Sequence, residues 1–487
     1  MNVIGRAKEE NELLERYSSD NSEFVAIYGR RRVGKTYLVN TTFNGVFDFM
    51  HTGLSPIELA DLKEKNKGKT FLDLQLEHFY HSLKLYGMTE KHIPKDWLEA
   101  FYMLEKLLQD KEKDDKHRKL IFIDELPWLD TPKSFFITAL GSFWNSWACH
   151  KNVMLVVCGS ATTWMLNKLV NNHGGLYGRL THEIHLTPFT LGSIAEFFGK
   201  NHISFSKYDI VQTYMILGGI PYYLKYIEKG KSLSANIDKL FFSKSAPLAN
   251  EFNRLFSSSY SDGELVKSIV RALFTKRVGL RRDEIASACE ISDGERLSKA
   301  INALLANDCI IKYRPLQEKE QLYYRLVDPF CLFYLRFVEN KSSLDLDLFS
   351  DNIETQSVIT WRGLSFENVC FNHINEIKKA LGIKGVGATY SSFYYDAEEG
   401  KHGAQIDLIL VRNDNVVNLC EMKFYSDLFS SNENNHLNLV RKKEALSLFL
   451  KKKQYIETVL VTTYGIKRNE YQWDYENIVT IDELFSR

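Results

Sequence analysis

The sequence has few cysteines, no excess of charge of either sign and no long apolar run. Its seven cysteines are scattered along 487 residues without a C-x-x-C pair, which argues against a disulfide framework or a zinc site. Lysine plus arginine and aspartate plus glutamate both number 62, so the overall charge gives no reason to expect a nucleic-acid partner. No stretch approaches the roughly 18 apolar residues of a membrane span, and the first residues lack the pattern of a signal peptide. We therefore expect a cytoplasmic protein with no membrane partner.

The length and the residue pattern predict several domains, of which the first is an α/β domain. A chain of 487 residues exceeds one ordinary core. Over residues 1–190, apolar runs bounded by turn residues alternate with helix-like stretches, an order typical of a parallel sheet covered by helices. The charge run at residues 111–119 predicts a solvated loop. The predicted strands are residues 23–28, 46–50, 120–123, 153–158 and 184–186.

The rest of the chain is predicted to contain a helical segment, a winged helix and a second α/β domain. Residues 191–258 are mainly helical in pattern, with a turn at Gly218, Gly219, Ile220 and Pro221. Residues 259–330 show three helices and then two short strands, which is the order of a winged helix. A linker helix is expected at residues 331–354. The last unit, residues 355–487, has strands predicted near 390–395, 405–411, 416–423 and 457–462.

A phosphate-binding loop follows the first predicted strand. The segment fits G-x-x-x-x-G-K-[ST] between a strand and a helix, which is the context that the motif requires. Its glycines let backbone N–H groups approach phosphates, Lys35 reaches the β- and γ-phosphates, and Thr36 offers its hydroxyl to Mg²⁺. The pattern predicts ATP and Mg²⁺ as ligands. The predicted nucleotide-binding residues of this segment are Gly29, Arg30, Arg31, Arg32, Val33, Gly34, Lys35, Thr36 and Tyr37.

Two acids end a later apolar strand and complete the predicted magnesium site. Asp124 and Glu125 follow the run Leu-Ile-Phe-Ile. Alone, such a pair is often an exposed turn, but with the phosphate loop present we expect Asp124 to hold Mg²⁺ through water. Glu125 is then placed to orient or deprotonate the attacking water, which makes hydrolysis a better prediction than binding alone.

Polar residues after the next strand supply further candidates. Ser160 follows the strand at 153–158 and is expected to lie between the phosphate loop and Asp124, where it senses the γ-phosphate; a helix N-cap is an equally natural role. Arg179 is expected to act on the phosphates in cis or on a neighbouring subunit, with a surface salt bridge as the alternative. His182 and His185 point to opposite faces of a strand, so they are not expected to share a metal ion.

The first 330 residues resemble the archaeal-type ATPases, a branch of P-loop ATPases close to the AAA+ and signal-transduction (STAND) groups. The resemblance implies that Ile4, Gly5 and Arg6 help to recognise adenine. It also implies that the segment from Gly218 to Pro221 opens a helical lid over the nucleotide. The matching segments are Ile4-Gly5-Arg6, Tyr28 to Thr36, Ile123-Asp124-Glu125, Cys158-Gly159-Ser160, Tyr177-Gly178-Arg179, Gly218-Gly219-Ile220-Pro221 and Tyr324 to Phe330.

A second set of acids lies in the last unit. Asp407 begins one predicted strand, and Glu421 and Lys423 end the next in a Glu-x-Lys pattern that puts both side chains on one face. If the strands form a hairpin, Asp407 approaches Glu421. Two carboxylates and a carbonyl suit Mg²⁺ or Mn²⁺, which with Lys423 would activate water toward a phosphodiester. Glu367, on a predicted helix, is a third candidate acid.

This set resembles the PD-(D/E)xK nuclease superfamily, whose pattern is a helical Glu, an Asp and a Glu-x-Lys. The resemblance implies a restriction-endonuclease-like α/β domain. Gln405 stands where some members carry an acid, and no proline precedes Asp407. The pattern is short, so a folded domain without cleavage activity is a serious alternative.

The winged helix and a lysine-rich stretch are weaker indicators of DNA. Helix 295–306 carries Arg296 and Lys299, but Glu295 and Asp308 offset their charge. A lid role or a protein contact, including one with a second copy, is as strong an alternative for this element as a groove contact. The cations at 441–443 and 451–453 are spaced as on the solvated face of an amphipathic helix, and lining a phosphate-binding groove is the alternative.

These observations predict a Mg²⁺-dependent ATPase whose nucleotide state controls a C-terminal, metal-dependent, nuclease-like domain acting on DNA. One alternative is an ATP-driven switch or signalling scaffold with a catalytically silent tail. The other is a non-enzymatic DNA-binding regulator that responds to nucleotide.

Overall fold

The computed structural model describes residues 3–114, 117–260, 262–318, 320–340, 348–395 and 404–486, and these form two compact units. The N-terminal unit comprises Met1–Thr187 and Arg254–Gly263. The C-terminal unit comprises Pro188–Asn253 and Glu264–Arg487. The domain boundaries predicted at 190, 258, 330 and 354 are finer than this division and stay predictions.

The N-terminal unit is built on a parallel sheet of five strands in the order β2-β3-β4-β1-β5. Every residue of β1, β3 and β4 is buried, because helices cover both faces of a parallel sheet and its strands are accordingly continuous apolar runs. The strands are β1 (Glu23–Tyr28), β2 (Phe49–Thr52), β3 (Lys119–Asp124), β4 (Val153–Gly159) and β5 (His182–His185).

Helices around this sheet bury a large aromatic core that includes Phe24, Phe79, Trp97, Phe101 and Phe143. A π-helical turn at Leu166–Val170 directly follows the last of these helices, Thr162–Met165. The helices are α1 (Ala7–Tyr17), α2 (Lys35–Thr42), α3 (Pro56–Lys65), α4 (Phe71–Leu85), α5 (Trp97–Asp114), α6 (Phe136–Ser146) and α7 (Thr162–Met165).

Two sequence predictions for this unit were wrong in their bounds. The second strand begins at Phe49 and not at Val46, whose side chain is 73% exposed in a turn before the sheet. Part of the predicted loop at 111–119 is helical, since α5 extends to Asp114, and the next strand already begins at Lys119. Residues 115–116 of that segment lie outside the described residues.

The C-terminal unit begins with helices, as expected, and continues into a small antiparallel sheet. Helix α12 (Glu251–Ser259) is divided between the two units. The three strands of this sheet pair in the order β6-β8-β7; β6 follows the first of three helices, and β7 and β8 follow the third. The elements are α8 (Leu191–Lys200), α9 (Lys207–Leu217), α10 (Pro221–Leu224), α11 (Leu233–Phe241), α13 (Gly263–Thr275), β6 (Leu280–Arg281), α14 (Arg282–Ala288), α15 (Glu295–Ala306), β7 (Ile310–Tyr313) and β8 (Tyr323–Leu326).

The predicted linker helix at 331–354 is not one helix. The chain forms α16 (Pro329–Phe333), a π-helical turn at Tyr334–Val338 and then α17 (Leu348–Asn352). Residues 341–347 lie outside the described residues. The helical conformation continues through the π turn and ends after Val338, where residues 339–340 form a turn.

The last part of the C-terminal unit forms a second sheet of five strands in the order β13-β12-β11-β10-β9. The inner strands β10 and β11 are an antiparallel pair, whereas β11, β12 and β13 run parallel. The elements are α18 (Gln356–Asn372), α19 (Ile374–Ala380), β9 (Ala388–Tyr395), β10 (Ala404–Arg412), β11 (Val416–Lys423), α20 (Glu433–Ser447), β12 (Tyr455–Thr462), β13 (Asn477–Thr480) and α21 (Ile481–Leu484).

Four of these strands agree with the sequence predictions, and β13 was missed because it has only four residues. The lysine-rich stretch was predicted as one helix, but α20 ends at Ser447 and the lysines at 451–453 follow it. Among the described residues, no helix has the length and apolar content needed to cross a membrane.

Gly219 provides a test of the packing in the C-terminal unit. Its φ is +68°, and a Cβ atom there would lie 2.2 Å from the carbonyl oxygen of Phe189. Gly230 has a similar φ of +77°, but a Cβ there would meet nothing within 4 Å. Each Gly→Ala change carries the left-handed backbone cost of about 1–2 kcal/mol. We expect Gly219→Ala to lower the free energy of unfolding by at least about 2 kcal/mol more than Gly230→Ala. Equal losses in denaturant titrations would contradict the close approach.

Candidate functional site

The loop between β1 and α2 has the backbone conformation that the phosphate motif predicts. Gly29 has a φ of +142°, and a Cβ atom there would lie 2.3 Å from the carbonyl oxygen of Leu186. Gly34, at the N-cap of α2, has a φ of +96°. Only glycine fits the first position, because both the backbone region and the approach of Leu186 exclude a side chain.

Lys35 is the first residue of α2, and its ammonium group is turned onto the backbone of this loop. Its Nζ donates hydrogen bonds to the carbonyl oxygens of Gly29 at 2.9 Å and Arg30 at 3.1 Å. Burial lowers the pKa of Lys35, while Glu125 acts in the opposite direction. The carbonyl bonds satisfy a charge that would otherwise be costly to bury.

Thr36 and Asp124 connect the loop to the end of β3. The Thr36 hydroxyl donates to Asp124 Oδ2 at 2.7 Å. Burial raises the pKa of Asp124, and the bond from Thr36 opposes that shift. A hydroxyl and a carboxylate are hard oxygen donors of the kind that Mg²⁺ takes at phosphate sites, so the residues present fit the predicted ion.

Glu125 is held by the end of β4. Its Oε2 accepts hydrogen bonds from the backbone N of Ser160 at 3.1 Å and from the Ser160 hydroxyl at 2.9 Å. Glu125 itself has a left-handed backbone, with φ 47°, which is uncommon for a residue with a side chain. Because β4 pairs between β1 and β3, Ser160 follows the strand that lies between those carrying the loop and Asp124. Its predicted role toward the γ-phosphate stays a prediction.

The start of the chain is tied to the same loop through Arg6. Its guanidinium donates to the carbonyl oxygens of Thr187 at 2.6 Å and Val33 at 3.4 Å, and it pairs with Glu9 at 3.4 Å. Gly5 has a φ of +67°, and Ile4 is half-buried. These contacts place Ile4, Gly5 and Arg6 beside the phosphate loop, and their role toward adenine stays a prediction.

The remaining N-terminal candidates differ in exposure. Arg179 is exposed and makes no ion pair among the described residues, so the surface salt bridge considered from sequence is absent there. The Tyr37 side chain is 62% exposed at the start of α2. His182 pairs with Glu12 at 3.2 Å, whereas His185 stacks on Tyr28, which agrees with their expected separation.

The predicted lid turn lies in the C-terminal unit. Gly218 and Gly219 have φ values of +66° and +68°, and Pro221 is the first residue of α10. That this segment opens a lid over the nucleotide, with Pro221 as a nucleotide-binding residue, stays a prediction.

In the C-terminal unit, an arginine joins two of the predicted acids. Arg277, in the turn between α13 and β6, donates from Nε to Glu367 Oε2 at 3.0 Å and from Nη2 to Glu367 Oε1. The same Nη2 lies 2.8 Å from Asp407 Oδ2. Arg325 approaches Glu367 at 3.8 Å and donates to Asn368 at 3.1 Å. Burial and then Asp407 raise the pKa of Glu367 to about 7, against the influence of both arginines.

Glu421 and Lys423 lie on the strand next to Asp407, as predicted. Leu408 is opposite Cys420 in the β10–β11 register, so Asp407 and Glu421 are the adjoining positions of the two strands. Glu421 accepts a short hydrogen bond from Lys442 and lies 3.5 Å from Lys423 Nζ. Gln405 donates to Asp407 at 2.8 Å.

The prediction that Glu367 joins the other acids around a metal ion finds no support in this geometry. Within the described ranges, no group of three or more His, Cys, Asp or Glu side chains could hold a metal. Glu367 is paired with arginine, because a buried carboxylate at that position requires a nearby cation.

Sequence reasoning missed Arg277, Arg325 and Lys442. They lie far from the acids in sequence, and nothing in the spacing relates residue 277 to residues 367 and 407. Only Lys442 carried a signal, since it belongs to the lysine-rich stretch, for which a solvated face and a phosphate-binding groove were the two interpretations.

The site geometry and the family comparison together identify an ATPase-type P-loop domain in the first half of the chain. Residues 4–227 match a family described as an ATPase domain predominantly from Archaea. The match ends at residue 227, so the nuclease-like domain stays a prediction.

Individual relatives are distant. The chain is 25% identical over 417 residues to an uncharacterised protein of Methanocaldococcus jannaschii, which covers 85% of this chain and 84% of that protein. A Walker-type ATPase of Pyrococcus abyssi has a TM-score of 0.48 and 17% identity over 69% of this chain and 96% of its own. The ORC2 protein of Aeropyrum pernix, solved as ADPNP and ADP complexes, has a TM-score of 0.40 and 14% identity over 72% and 93%.

The raised pKa of Glu367 predicts a pH dependence of stability. A carboxyl group with a folded pKa of about 7 against an ordinary value of 4.5 binds its proton more tightly in the folded protein. The free energy of unfolding therefore falls as pH rises through that window, by about 3 kcal/mol from this group. Since Glu367→Gln does not titrate, we expect its stability relative to wild type to increase by that amount from about pH 4 to about pH 8.

The matched control is Glu433→Gln, at an exposed position of α20. Its stability relative to wild type should not change over the same pH range by a comparable amount. A decrease for Glu367→Gln would mean that Arg277 and Arg325 outweigh burial and lower the pKa.

Proposed function

We propose that the N-terminal unit hydrolyses ATP with Mg²⁺. Two hydrogen-bonded contacts carry the proposal: Thr36 donates to Asp124, and Ser160 donates to Glu125. Both lie at the same edge of one parallel sheet. Carboxyl ends of parallel strands are where such sheets bind ligands.

Each residue has a chemical role in this proposal. The Lys35 ammonium exchanges its two carbonyl partners for phosphate oxygens, because both are acceptors at hydrogen-bond distance and phosphate carries full charge. Thr36 and Asp124 would hold Mg²⁺, which supplies charge neutralisation at the phosphates. The N-terminus of α2, which begins at Lys35, adds backbone N–H donors and positive potential for the phosphates.

Glu125 is proposed to orient and deprotonate the attacking water. In the present geometry its Oε2 accepts two hydrogen bonds from Ser160. To act on water, this oxygen must either lose the bonds from Ser160 or accept a further bond from the water. This contact makes Ser160 a positioning residue, and it gives a physical route by which the γ-phosphate is sensed. Arg179 is exposed, as a residue acting on a neighbouring subunit must be.

We expect Glu125→Gln to retain nucleotide binding and to lose about 100-fold or more in the rate of phosphate release, since it removes the base and leaves the loop intact. Lys35→Ala should weaken nucleotide binding itself. Both are measured as Mg²⁺-dependent phosphate release and as binding of a fluorescent ATP analogue. Lys8→Ala, whose side chain is 85% exposed on α1, is the control. Unchanged release in Lys35→Ala would exclude this site as the source of activity.

We propose a second function for the C-terminal unit, which is metal-dependent cleavage of nucleic acid, in the first instance DNA. The supporting observation is the placement of Asp407 and Glu421 on neighbouring antiparallel strands with Lys423 beside them. Glu421 and Lys423 also line a cavity of about 290 Å³ whose other polar residues include Gln405, Arg441 and Lys442. Cations lining a cavity beside a carboxylate suit a phosphodiester backbone.

The two carboxylates suit Mg²⁺ or Mn²⁺ in chemistry, but each is paired with a protein cation. Arg277 holds Asp407, and Lys442 and Lys423 hold Glu421. Binding of an ion by Asp407 and Glu421 therefore requires that Arg277 and Lys442 move away. Lys423 is then placed to stabilise charge on a phosphate or to activate water.

The helix α15, expected to enter a DNA groove if the winged helix binds DNA, offers little net charge. Lys299 pairs with Glu295 at 2.7 Å, and both side chains are more than 70% exposed, at 72% and 81%. Such pairs contribute little to stability, but the carboxylate offsets the positive charge of Lys299 that a phosphate backbone would meet. This observation favours the cavity near Glu421 over α15 as the nucleic-acid site.

We expect cleavage of labelled single- or double-stranded DNA with Mn²⁺ or Mg²⁺, and its loss by at least about 100-fold in Asp407→Ala. Asp414→Ala is the matched control, because Asp414 lies in the turn of the same hairpin and pairs with Arg412. Cleavage that persists in Asp407→Ala would remove the acids from the mechanism. If the wild-type protein cleaves no substrate of a panel, the C-terminal unit is catalytically silent and the nuclease proposal is wrong.

A further inference from the structure

A second cavity of the C-terminal unit is lined by three arginines. It has a volume of about 250 Å³ and lies among α13, β8, the π-helical turn at Tyr334–Val338 and α18. Arg277, Arg325 and Arg336 line it, and no carboxylate of the described residues does. The cavity is separate in its lining from the one beside Glu421.

Arg336 contributes a charge that no acid neutralises within the described part of the chain. Its Nη2 donates to the Ser357 hydroxyl at 3.1 Å, and it forms no ion pair there. The nearest acid along the turn, Glu339, pairs with Arg271 at 2.8 Å instead. The guanidinium of Arg336 therefore lies at the cavity with donors still directed to solvent or ligand.

Arg277 and Arg325 are fixed in position by the acids behind them. Arg277 uses Nε and Nη2 for Glu367 and Asp407, which leaves its Nη1 group as a further donor. Arg325 is buried, donates to Asn368, and lies with its guanidinium 4.5 Å from the centre of the Phe371 ring. Preorganised guanidinium groups bind phosphate oxygens at a small entropic cost.

The remaining walls suit the uncharged part of a nucleotide. Phe274, Trp361 and Leu364 give apolar and aromatic surface, and Ser365 and Asn368 add hydroxyl and amide groups. Arginine donors on one side suit a phosphate, and apolar and aromatic surface on the other suits a flat base. The two together match a nucleotide.

We propose that this cavity binds the phosphate of a nucleotide, either a free mononucleotide or the 5′ end of a nucleic-acid strand, through Arg336 and Arg277. The proposal stands whether or not the neighbouring acids cleave DNA, since it depends on the arginines and the cavity alone. It has a consequence for those acids: a phosphate bound to Arg277 competes with Glu367 and Asp407 for the same guanidinium. Ligand binding would thereby loosen the cation that blocks Asp407.

The test uses the full chain carrying Lys35→Ala, without divalent metal, so that neither the ATP site nor cleavage contributes. Probes are a short 3′-labelled oligothymidylate with a 5′-phosphate, the same strand with a 5′-hydroxyl, and AMP as competitor. Fluorescence anisotropy is expected to show tighter binding of the phosphorylated strand. Arg336→Ala should lower the affinity for the phosphorylated strand about ten-fold, and Arg336→Lys should lower it less.

Arg271→Ala is the matched control, because Arg271 is a nearby arginine that pairs with Glu339 and does not line the cavity. It should bind the phosphorylated strand as the parent does. Competition by AMP would indicate a free mononucleotide as ligand, and binding of the strand without such competition would indicate a strand end. Equal affinity for the 5′-phosphate and 5′-hydroxyl strands, or an equal loss in Arg336→Ala and Arg271→Ala, would overturn the proposal.

Discussion

The position of β4 between β1 and β3 is the constraint on which the N-terminal site depends. Because the three strands run parallel, their carboxyl ends meet at one edge, and each delivers one part of the site there. The first delivers the loop with Lys35, the second Asp124 and Glu125, and the inserted strand Ser160. Gly29 makes the arrangement possible, since a side chain there would collide with Leu186. The contacts of Thr36 and Glu125 follow from this order.

The C-terminal unit depends on a different constraint, which is the need to balance buried charge. Glu367 is almost fully buried on α18, and a lone carboxylate there would cost several kcal/mol. Arg277 and Arg325 offset that cost, but Arg277 also holds Asp407, the acid best placed for chemistry. The same arginine therefore pairs with both the buried acid and the proposed metal ligand. On the proposed function, an ion could reach Asp407 only after Arg277 has exchanged that partner for another anion.

In both candidate cavities of this unit, cations that pair with acids also line the cavity. Beside Glu421, Lys442 and Lys423 neutralise a carboxylate and also present positive charge to any phosphate that enters. In the arginine-lined cavity, Arg277 belongs to both the acids and the pocket. If both proposals hold, a few charged groups in contact exchange partners, and a phosphate that binds at one place would change the pairing at another. Such a coupling would be a local electrostatic effect that needs no large movement of the backbone.

The sequence by itself determined the phosphate loop, its acids and most helices and strands, because these depend on local spacing, glycine positions and apolar periodicity. The hairpin that brings Asp407 beside Glu421 was also predictable, since each strand carries its own alternation. Only the tertiary structure decided which cations hold the acids. Arg277 and Glu367 are separated by 90 residues, and they meet because α13, α18 and β10 pack in one unit. Pairing of buried charge acts through space, so no periodicity along the chain reports it.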